Sequence, residues 1–201
     1  MAYANWLTLS KLAGSGNDTV NATAAANNTG RNARSTNVTF SAAHCADVVR
    51  TVMQKGKPET TALQPTAAVQ QAGGTVTLTG TSNSKALTFA LGNGDLQLSL
   101  PAAYTANGAQ TANGADISGD PGATAEYNYA IQFSVPANAD TSAKSRQVIV
   151  TDDAGNQHTC TVTIAAGDAF LNVTPASIEL EWDGSDSEYF TVESNTNWTV
   201  S

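Results

Sequence analysis

Apolar and polar residues alternate with a period of two along much of the chain. In the first 57 residues the alternation marks four segments, which are 6–9, 18–24, 35–40 and 48–54. Within each segment apolar side chains alternate with Thr, Asn or Ser, the pattern of a β-strand with one buried face. Turn-forming runs at 14–17 and 27–30 separate them. The pattern predicts a four-stranded block at 1–57, followed by a linker at 58–64.

A second block, at 65–166, shows the same period and has the size of a whole domain. Its predicted strands are 75–79, 86–90, 96–100, 127–135, 147–151 and 159–164. A turn at 153–156 joins the last two, and a long loop rich in Gly and Asn occupies 106–125. These six segments approach the seven strands in about a hundred residues that are typical of an immunoglobulin-like β-sandwich, and with no helix-period run they predict that fold.

The third block, at 170–201, contains three or four strand-like segments, which are 170–173, 178–182, 189–192 and 197–200. Three or four strands are too few for an independent sandwich, and the block at 1–57 also has too few strands. The predicted fold class is therefore all-β, with immunoglobulin-like sandwich modules: a complete central sandwich and two terminal half-sandwiches. A half-sandwich exposes an apolar face and unpaired strand edges, which another segment must cover.

Charge and composition exclude several classes of function. Only 13% of the residues are charged, against roughly a quarter in a typical soluble domain. The net charge is −8 and the nine Lys and Arg residues are scattered, so neither nucleic acid nor an anionic membrane is an expected partner. The chain has no apolar run of about 18 residues and its first residues lack the features of a signal peptide. We expect synthesis in the cytoplasm, after which the protein either stays there or is released within a particle or by lysis.

The residues capable of chemistry do not cluster in the sequence. Cys45 and Cys160 fall in different blocks, which predicts core packing rather than a disulfide, and His44 and His158 offer no nucleophile–base pair. The oxygen donors in and after the long loop lack EF-hand spacing; they are Asp116, Asp120, Asp152, Asp153 and Asn156. Glu179 and Glu181 lie on one strand face, which a solvated surface explains. We expect no catalytic residue, cofactor or metal, and hence no enzyme.

Two groups of residues are candidates for binding. The first is the three tryptophans: core packing is expected for Trp6 and Trp198, whereas the exposure of Trp182 beside a turn is left open. The second is the long loop, because loops of this length in a sandwich are usually functional or disordered. Its candidate partner-contact residues are Asn107, Asn113, Asp116 and Asp120.

Both terminal blocks resemble parts of one known family. The run 171–178 together with 190–200, which contains Ser194, Asn195 and Trp198, resembles the first half of a BACON domain. The run 6–10 with Trp6, followed by 14–16, Arg34 and 52–56, resembles the second half. The order of the halves is reversed, so that placing Ser201 before Met1 restores one continuous domain.

The resemblance implies that 170–201 of one copy completes 1–57 of a neighbouring copy, or of the same chain. The extended linkers are short compared with the length of a sandwich, which favours exchange between copies and a head-to-tail homo-oligomer. The residues expected to take part in strand exchange between subunits are Trp6, Leu7, Leu9, Phe190, Val192, Trp198 and Val200.

The middle block contains Gly-Thr-Ser-Asn at 80–83 and Gly-Asp-Pro-Gly-Ala at 119–123. With this pattern it resembles immunoglobulin-like modules of crAss-like phages of gut Bacteroidetes. This resemblance implies an auxiliary (decoration) capsid protein that links and stabilises the shell of a virion by strand exchange. Its partners would be further copies of itself and a major capsid protein, at the capsid surface. The alternatives are a head-fibre or tail component, and an adhesion module that binds a host-surface glycan, as proposed for BACON domains in bacterial proteins.

Overall fold

The computed structural model describes residues 3–27, 30–185 and 187–201, so two residues of the predicted turn 27–30 lie outside it. All regular structure in these residues is β-strand, which confirms the predicted all-β class. Correspondingly, the described part of the chain contains no helix long and apolar enough to cross a bilayer. We call residues 1–57 the head and residues 170–201 the tail.

A two-sheet sandwich forms the centre of the chain. One sheet has the order β10-β9-β11-β7-β5, with strands β5 (Thr61–Leu63), β7 (Gly74–Ser82), β9 (Ala103–Ala106), β10 (Ala109–Ala112) and β11 (Tyr127–Val135). The other has the order β6-β13-β12-β8, with strands β6 (Thr66–Val69), β8 (Leu87–Gly94), β12 (Lys144–Asp152) and β13 (Gln157–Ile164). Among the strands of the described residues, β6 and β13 alone pair in parallel.

Alternation along the long strands builds the central core. In β11 every second residue from Tyr127 to Val135 is buried, as predicted, and its partner β7 buries Leu78 completely. The opposite sheet contributes Val148, Val150 and Cys160. The core is a single cluster between the two sheets, so the central sandwich buries its own apolar faces without help from the head or the tail.

Three expectations about the central block are wrong. The predicted linker 58–64 includes β5, an edge strand that pairs with β7 through Thr61, Ala62 and Leu63. The segment 96–100 forms no strand, because its backbone bonds the sandwich at isolated points, such as Leu96 N to Ser145 O at 3.0 Å. The loop 106–125 is partly regular, since Asn107 and Gly108 form the turn of the β9–β10 hairpin.

The head and the tail consist of isolated hairpins. In the head, β1 (Leu7–Leu9) pairs with β2 (Ala22–Ala24), and β3 (Arg34–Phe40) pairs with β4 (Val48–Gln54). In the tail, β14 (Leu171–Thr174) pairs with β15 (Thr191–Ser194). The predicted strands at 178–182 and 197–200 are not formed. Among the described residues no strand of the head pairs with a strand of the tail.

The head and the tail are attached to opposite ends of the sandwich. The head contacts the end where Glu59, Asn83 and Asp120 lie. The tail contacts the other end, where Asn195 Nδ2 donates to the carbonyl oxygen of Ala139 at 3.0 Å. Strand β7 runs from one end to the other, and its nine residues separate the two ends by about 26 Å at roughly 3.3 Å per residue.

Candidate functional site

The large apolar side chains that remain exposed are concentrated in the head and the tail. In the described residues Leu91 is the one exposed large hydrophobic residue of the central sandwich. The others are Leu12, Val20, Phe40, Val48, Val49 and Met53 in the head, and Phe170, Leu171, Val173, Leu180, Trp182, Tyr189, Phe190, Trp198 and Val200 in the tail. Exposed apolar surface concentrated in this way is a candidate interaction site.

The two hairpins of the head face one another and cover each other only in part. Leu7 of β1 and Val38 of β3 are buried, with exposures of 3% and 5%. Cross-strand pairing places Phe40 and Val48 on the same face of the β3–β4 hairpin as Val38, because directly paired residues point to one side. Both remain exposed, since the three-residue strands β1 and β2 are too short to reach them.

A groove of about 380 Å³ opens at this uncovered part of the head. Its apolar wall includes Leu9, Val20 and Phe40. At its rim Lys11 Nζ donates to both carboxylate oxygens of Asp18, each at 2.7 Å. That hydrogen bond lowers the pKa of Asp18, so the rim carries a fixed ion pair beside an apolar floor.

Arg34 joins the two hairpins of the head. Its guanidinium carbon lies 4.7 Å from the ring centre of Trp6, which is a cation–π distance. Its Nε donates to Gln54 Oε1 at 2.7 Å, and its Nη2 donates to the carbonyl oxygen of Ala25 at 2.8 Å. Trp6, expected in a core, is therefore half-buried beneath an arginine instead.

Arg31 fixes the head to the central sandwich. Its Nη1 and Nη2 donate to the two carboxylate oxygens of Asp120 at 2.5 and 3.0 Å, and Nη2 also donates to the carbonyl oxygen of Asn83 at 2.7 Å. Its Nε lies 2.9 Å from Glu59 Oε1, an ion pair without an aligned hydrogen bond. The hydrogen bond from Arg31 lowers the pKa of Asp120 and in turn raises the pKa of Arg31. No sequence pattern singled out Arg31.

The tail hairpin presents an apolar face to solvent. Pairing of Val173 with Val192 and of Leu171 with Ser194 places these side chains on one face. Leu171 and Val173 are exposed and Val192 is half-buried, so the face lacks a covering layer. Trp198, expected in a core, is 50% exposed, and Val200 is 86% exposed.

Asn195 holds the tail to its end of the sandwich. Its Oδ1 accepts from the backbone N–H of Phe170 at 3.0 Å, and its Nδ2 donates to the carbonyl oxygen of Asp168 at 2.9 Å. Asp168 itself accepts from Gln71 Nε2 at 2.8 Å. The segment that joins the sandwich to the tail is thus hydrogen-bonded to both of them, through Gln71 and through Asn195.

The loop residues proposed as partner contacts mostly bond their own chain. Asn113 bonds both backbone groups of Phe89, with Oδ1 accepting at 2.7 Å and Nδ2 donating at 2.9 Å, which extends the ladder of edge strand β8. Asn107 Nδ2 donates to the carbonyl oxygen of Gly119 at 3.0 Å. Asp116 pairs with Lys85 at 2.9 Å, and Asp120 binds Arg31.

The described residues contain no group of three or more His, Cys, Asp or Glu side chains arranged to hold a metal ion. Cys160 is buried in the core, where desolvation raises the pKa of its thiol. Cys45 is exposed in the β3–β4 turn, so its expected place in a core is wrong. His44 precedes it with φ of 65°. Trp182 is 94% exposed, which answers the question that the sequence left open.

The head matches a known family. A model of the family described as "BACON: Putative binding domain, N-terminal" matches residues 1–55. This match confirms the BACON resemblance of the first terminal block. Residues 1–55 are about a quarter of the 201-residue chain.

No curated protein matches the sequence significantly. Among solved structures, an endo-fucoidan hydrolase of glycoside hydrolase family 107 superposes with a TM-score of 0.29 and 14% identity. The superposition covers 82% of this chain and 22% of that structure, so the chain spans about a fifth of its length. A likeness of this weakness supports no functional argument, and the chain is best described as an all-β protein with a BACON-like N-terminal segment.

Proposed function

We propose that the protein is a non-catalytic structural protein whose copies join head to tail by strand exchange, as an auxiliary (decoration) protein of a bacteriophage capsid. One observation supports the assembly above all others: two incomplete β-fragments with uncovered apolar faces lie at opposite ends of a complete sandwich. Strand donation between copies would bury those faces and satisfy the open edges of both fragments.

The placement of the fragments favours exchange between copies over closure within one chain. The head and the tail of one chain are separated by about the length of β7, roughly 26 Å at 3.3 Å per residue. The hydrogen bonds of Asn195 and Arg31 hold each fragment at its own end. The head-to-tail contact is heterologous, and such contacts produce rings or open chains that can tie neighbouring capsid subunits together.

Light scattering on the full chain tests the assembly. The mean mass should rise with protein concentration, and Val192→Asp combined with Trp198→Asp should return the protein to monomers, because both changes place a charge on the tail's apolar surface. Leu91→Asp is the matched control, since Leu91 is exposed but lies on the central sandwich. A wild-type protein that stays monomeric at every concentration contradicts the proposal.

The capsid setting needs its own experiment. Mass spectrometry of purified virions should find the protein in many copies per particle, and gold-labelled antibodies should mark the head surface. Labelling confined to the tail would move the role to a tail component. Absence of the protein from virions would remove the capsid role and leave head-to-tail assembly untouched.

Carbohydrate binding is the second candidate function, because Trp182 offers a fully open aromatic face and the head matches a family described as a binding domain. Aromatic faces stack on sugar rings. Retention on immobilised mucin glycans that Trp182→Ala abolishes would support it. Leu180→Ala serves as the control, since Leu180 is exposed nearby in the sequence and has no aromatic ring.

A further inference from the structure

Charge is segregated between the two terminal fragments. The head has six basic and two acidic residues, a net charge of +4: Lys11, Arg31, Arg34, Arg50, Lys55 and Lys57 against Asp18 and Asp47. The tail has six acidic residues and no basic ones, a net charge of −6: Glu179, Glu181, Asp183, Asp186, Glu188 and Glu193. The basic residues of the chain are therefore not evenly scattered, since six of the nine lie in the head.

Two basic residues of the head lie at its open apolar surface. Lys11 is at the rim of the groove, paired with Asp18, and Arg50 pairs with Val38 across the β3–β4 hairpin, on the face that Phe40 and Val48 leave uncovered. Lys55 and Lys57 are exposed at the opposite end of β4, beside the junction with the sandwich. The groove thus has an apolar floor with one guanidinium close by that forms no ion pair among the described residues, and the rest of the positive charge of the head lies farther along β4.

The tail has the complementary construction. Its apolar face contains Leu171, Val173 and Val192, and its opposite face contains Asn172 paired with Glu193. Trp198 and Val200 add apolar surface beyond β15. A hairpin of this kind can place apolar side chains in the groove while its carboxylates are attracted by the net positive charge of the head.

We infer that the groove between the two head hairpins is the docking site for the tail of a second copy, and that electrostatic attraction selects this head-to-tail pairing. The inference rests on the proposed strand exchange and specifies its site. Contacts between two heads or two tails bring like charges together, which disfavours symmetric dimers. The assembly is therefore directional.

Charge reversal in the full chain tests the inference. A head-reversed variant, with Arg50→Glu, Lys55→Glu and Lys57→Glu, changes the head from +4 to −2, since each reversal removes two units. A tail-reversed variant, with Glu179→Lys, Glu181→Lys, Glu188→Lys and Glu193→Lys, changes the tail from −6 to +2. Each variant alone then has a head and a tail of the same sign.

Light scattering should show that each variant alone assembles at least about tenfold more weakly than wild type, and that an equimolar mixture of the two regains assembly. The mixture pairs a −2 head with a +2 tail and a +4 head with a −6 tail. Wild-type assembly should also weaken as the salt concentration rises from about 50 mM to about 500 mM. Glu126→Lys with Asp153→Lys is the control, because it shifts the charge of the central sandwich and should leave assembly unchanged.

The outcomes separate the inference from the proposed function. Wild-type assembly that both reversals leave intact overturns the electrostatic docking site and preserves strand exchange. Loss of assembly in both variants without rescue in the mixture overturns directional pairing. A wild-type protein that never assembles overturns the proposed function itself. Circular dichroism of each variant checks that the central sandwich remains folded.

Discussion

Arg31 of the head and Asp120 of the central sandwich form a bidentate ion pair across the junction between the two modules. Their side chains are 16% and 22% exposed, respectively, and the two residues lie 89 positions apart in the sequence. The backbone supports the same contact, because Arg31 N donates to the carbonyl oxygen of Gly122 at 2.8 Å. The junction orients the head relative to the sandwich and hence sets the geometry of any assembly.

Arg31→Ala should release the head from the sandwich. Removing a guanidinium from a partly buried pair leaves two carboxylates, Asp120 and Glu59, without their cation, at a cost of about 2–3 kcal/mol. Hydrogen exchange reports this loss at the backbone amide of residue 31, which donates to the carbonyl oxygen of Gly122 across the junction and is retained in the alanine variant. Its protection should fall by at least about tenfold, which corresponds to 1.4 kcal/mol.

Arg31→Lys should retain part of the protection, because an ammonium can pair with only one carboxylate in this geometry. Amides in the central core, such as that of Ile131, serve as the internal control and should exchange as in wild type. Unchanged protection of the residue-31 amide in the alanine variant would show that the backbone contacts alone hold the junction.

The junction should loosen in acid. The hydrogen bond from Arg31 lowers the pKa of Asp120 in the folded state below its value in the unfolded chain. A carboxyl of this kind contributes its full stability above the unfolded value of about 3.9 and loses it as the pH falls through the folded value. Junction protection measured across this range should therefore decline below about pH 4.

Asp120→Asn provides the matched control for the acid effect. The amide keeps the shape of the side chain but cannot titrate, so the junction should be weaker at neutral pH and nearly independent of pH in the acid range. A variant with the same acid profile as wild type would assign the titration to another carboxyl.

Gly30→Ala should open the junction by steric overlap. Gly30 has φ of 90°, and a Cβ at this position would overlap the carbonyl oxygen of Gly122. Backbone atoms cannot move aside as a flexible side chain would, so the head must shift. Gly16→Ala is the control: Gly16 has φ of 68° but open space around it, so it incurs backbone strain of about 1 kcal/mol without overlap. Equal loss of protection at the Arg31 amide in both variants would contradict the steric explanation.

Strand bounds were predicted best in segments where apolar residues alternate and the backbone is hydrogen-bonded to a neighbouring strand. The bounds of β4 and β11 agree with the predicted 48–54 and 127–135. The strand predicted at 96–100 was wrong. Its alternation arises because Leu98 and Leu100 pack against the core from a segment that has no strand partner. The short strand β5 was missed because three residues beside prolines show too little periodicity.

The junction could not be predicted from the sequence. Arg31 has partners 28, 52 and 89 positions away, and no local spacing reveals such contacts. The terminal half-sandwiches, in contrast, follow from counting strand segments, and the exposed apolar surface of both fragments agrees with that count. The segments 178–182 and 197–200 have strand-like sequences but lack a neighbouring strand in the single chain.

The two cysteines should differ in reactivity. Cys45 is exposed in a turn, whereas Cys160 is fully buried and desolvation raises the pKa of its thiol, which lowers its thiolate fraction. A thiol reagent should modify one equivalent rapidly in the native protein and a second only after unfolding. Cys45→Ser should abolish the rapid equivalent, and rapid modification that survives this change would place Cys160 within reach of solvent.

Trp198 should become shielded when copies assemble. It is 50% exposed in the single chain, and docking of the tail in the groove of a second head would cover it. In a Trp182→Phe background, which removes the fully exposed indole, acrylamide quenching should fall as the protein concentration rises through the assembly range. Trp6 should respond less, since Arg34 covers one face of its ring and it does not line the groove. The double variant Trp182→Phe, Trp198→Phe should lose the concentration dependence, because the residue that docking covers is gone. Quenching that stays constant while light scattering records assembly would place the contact between copies away from the tail.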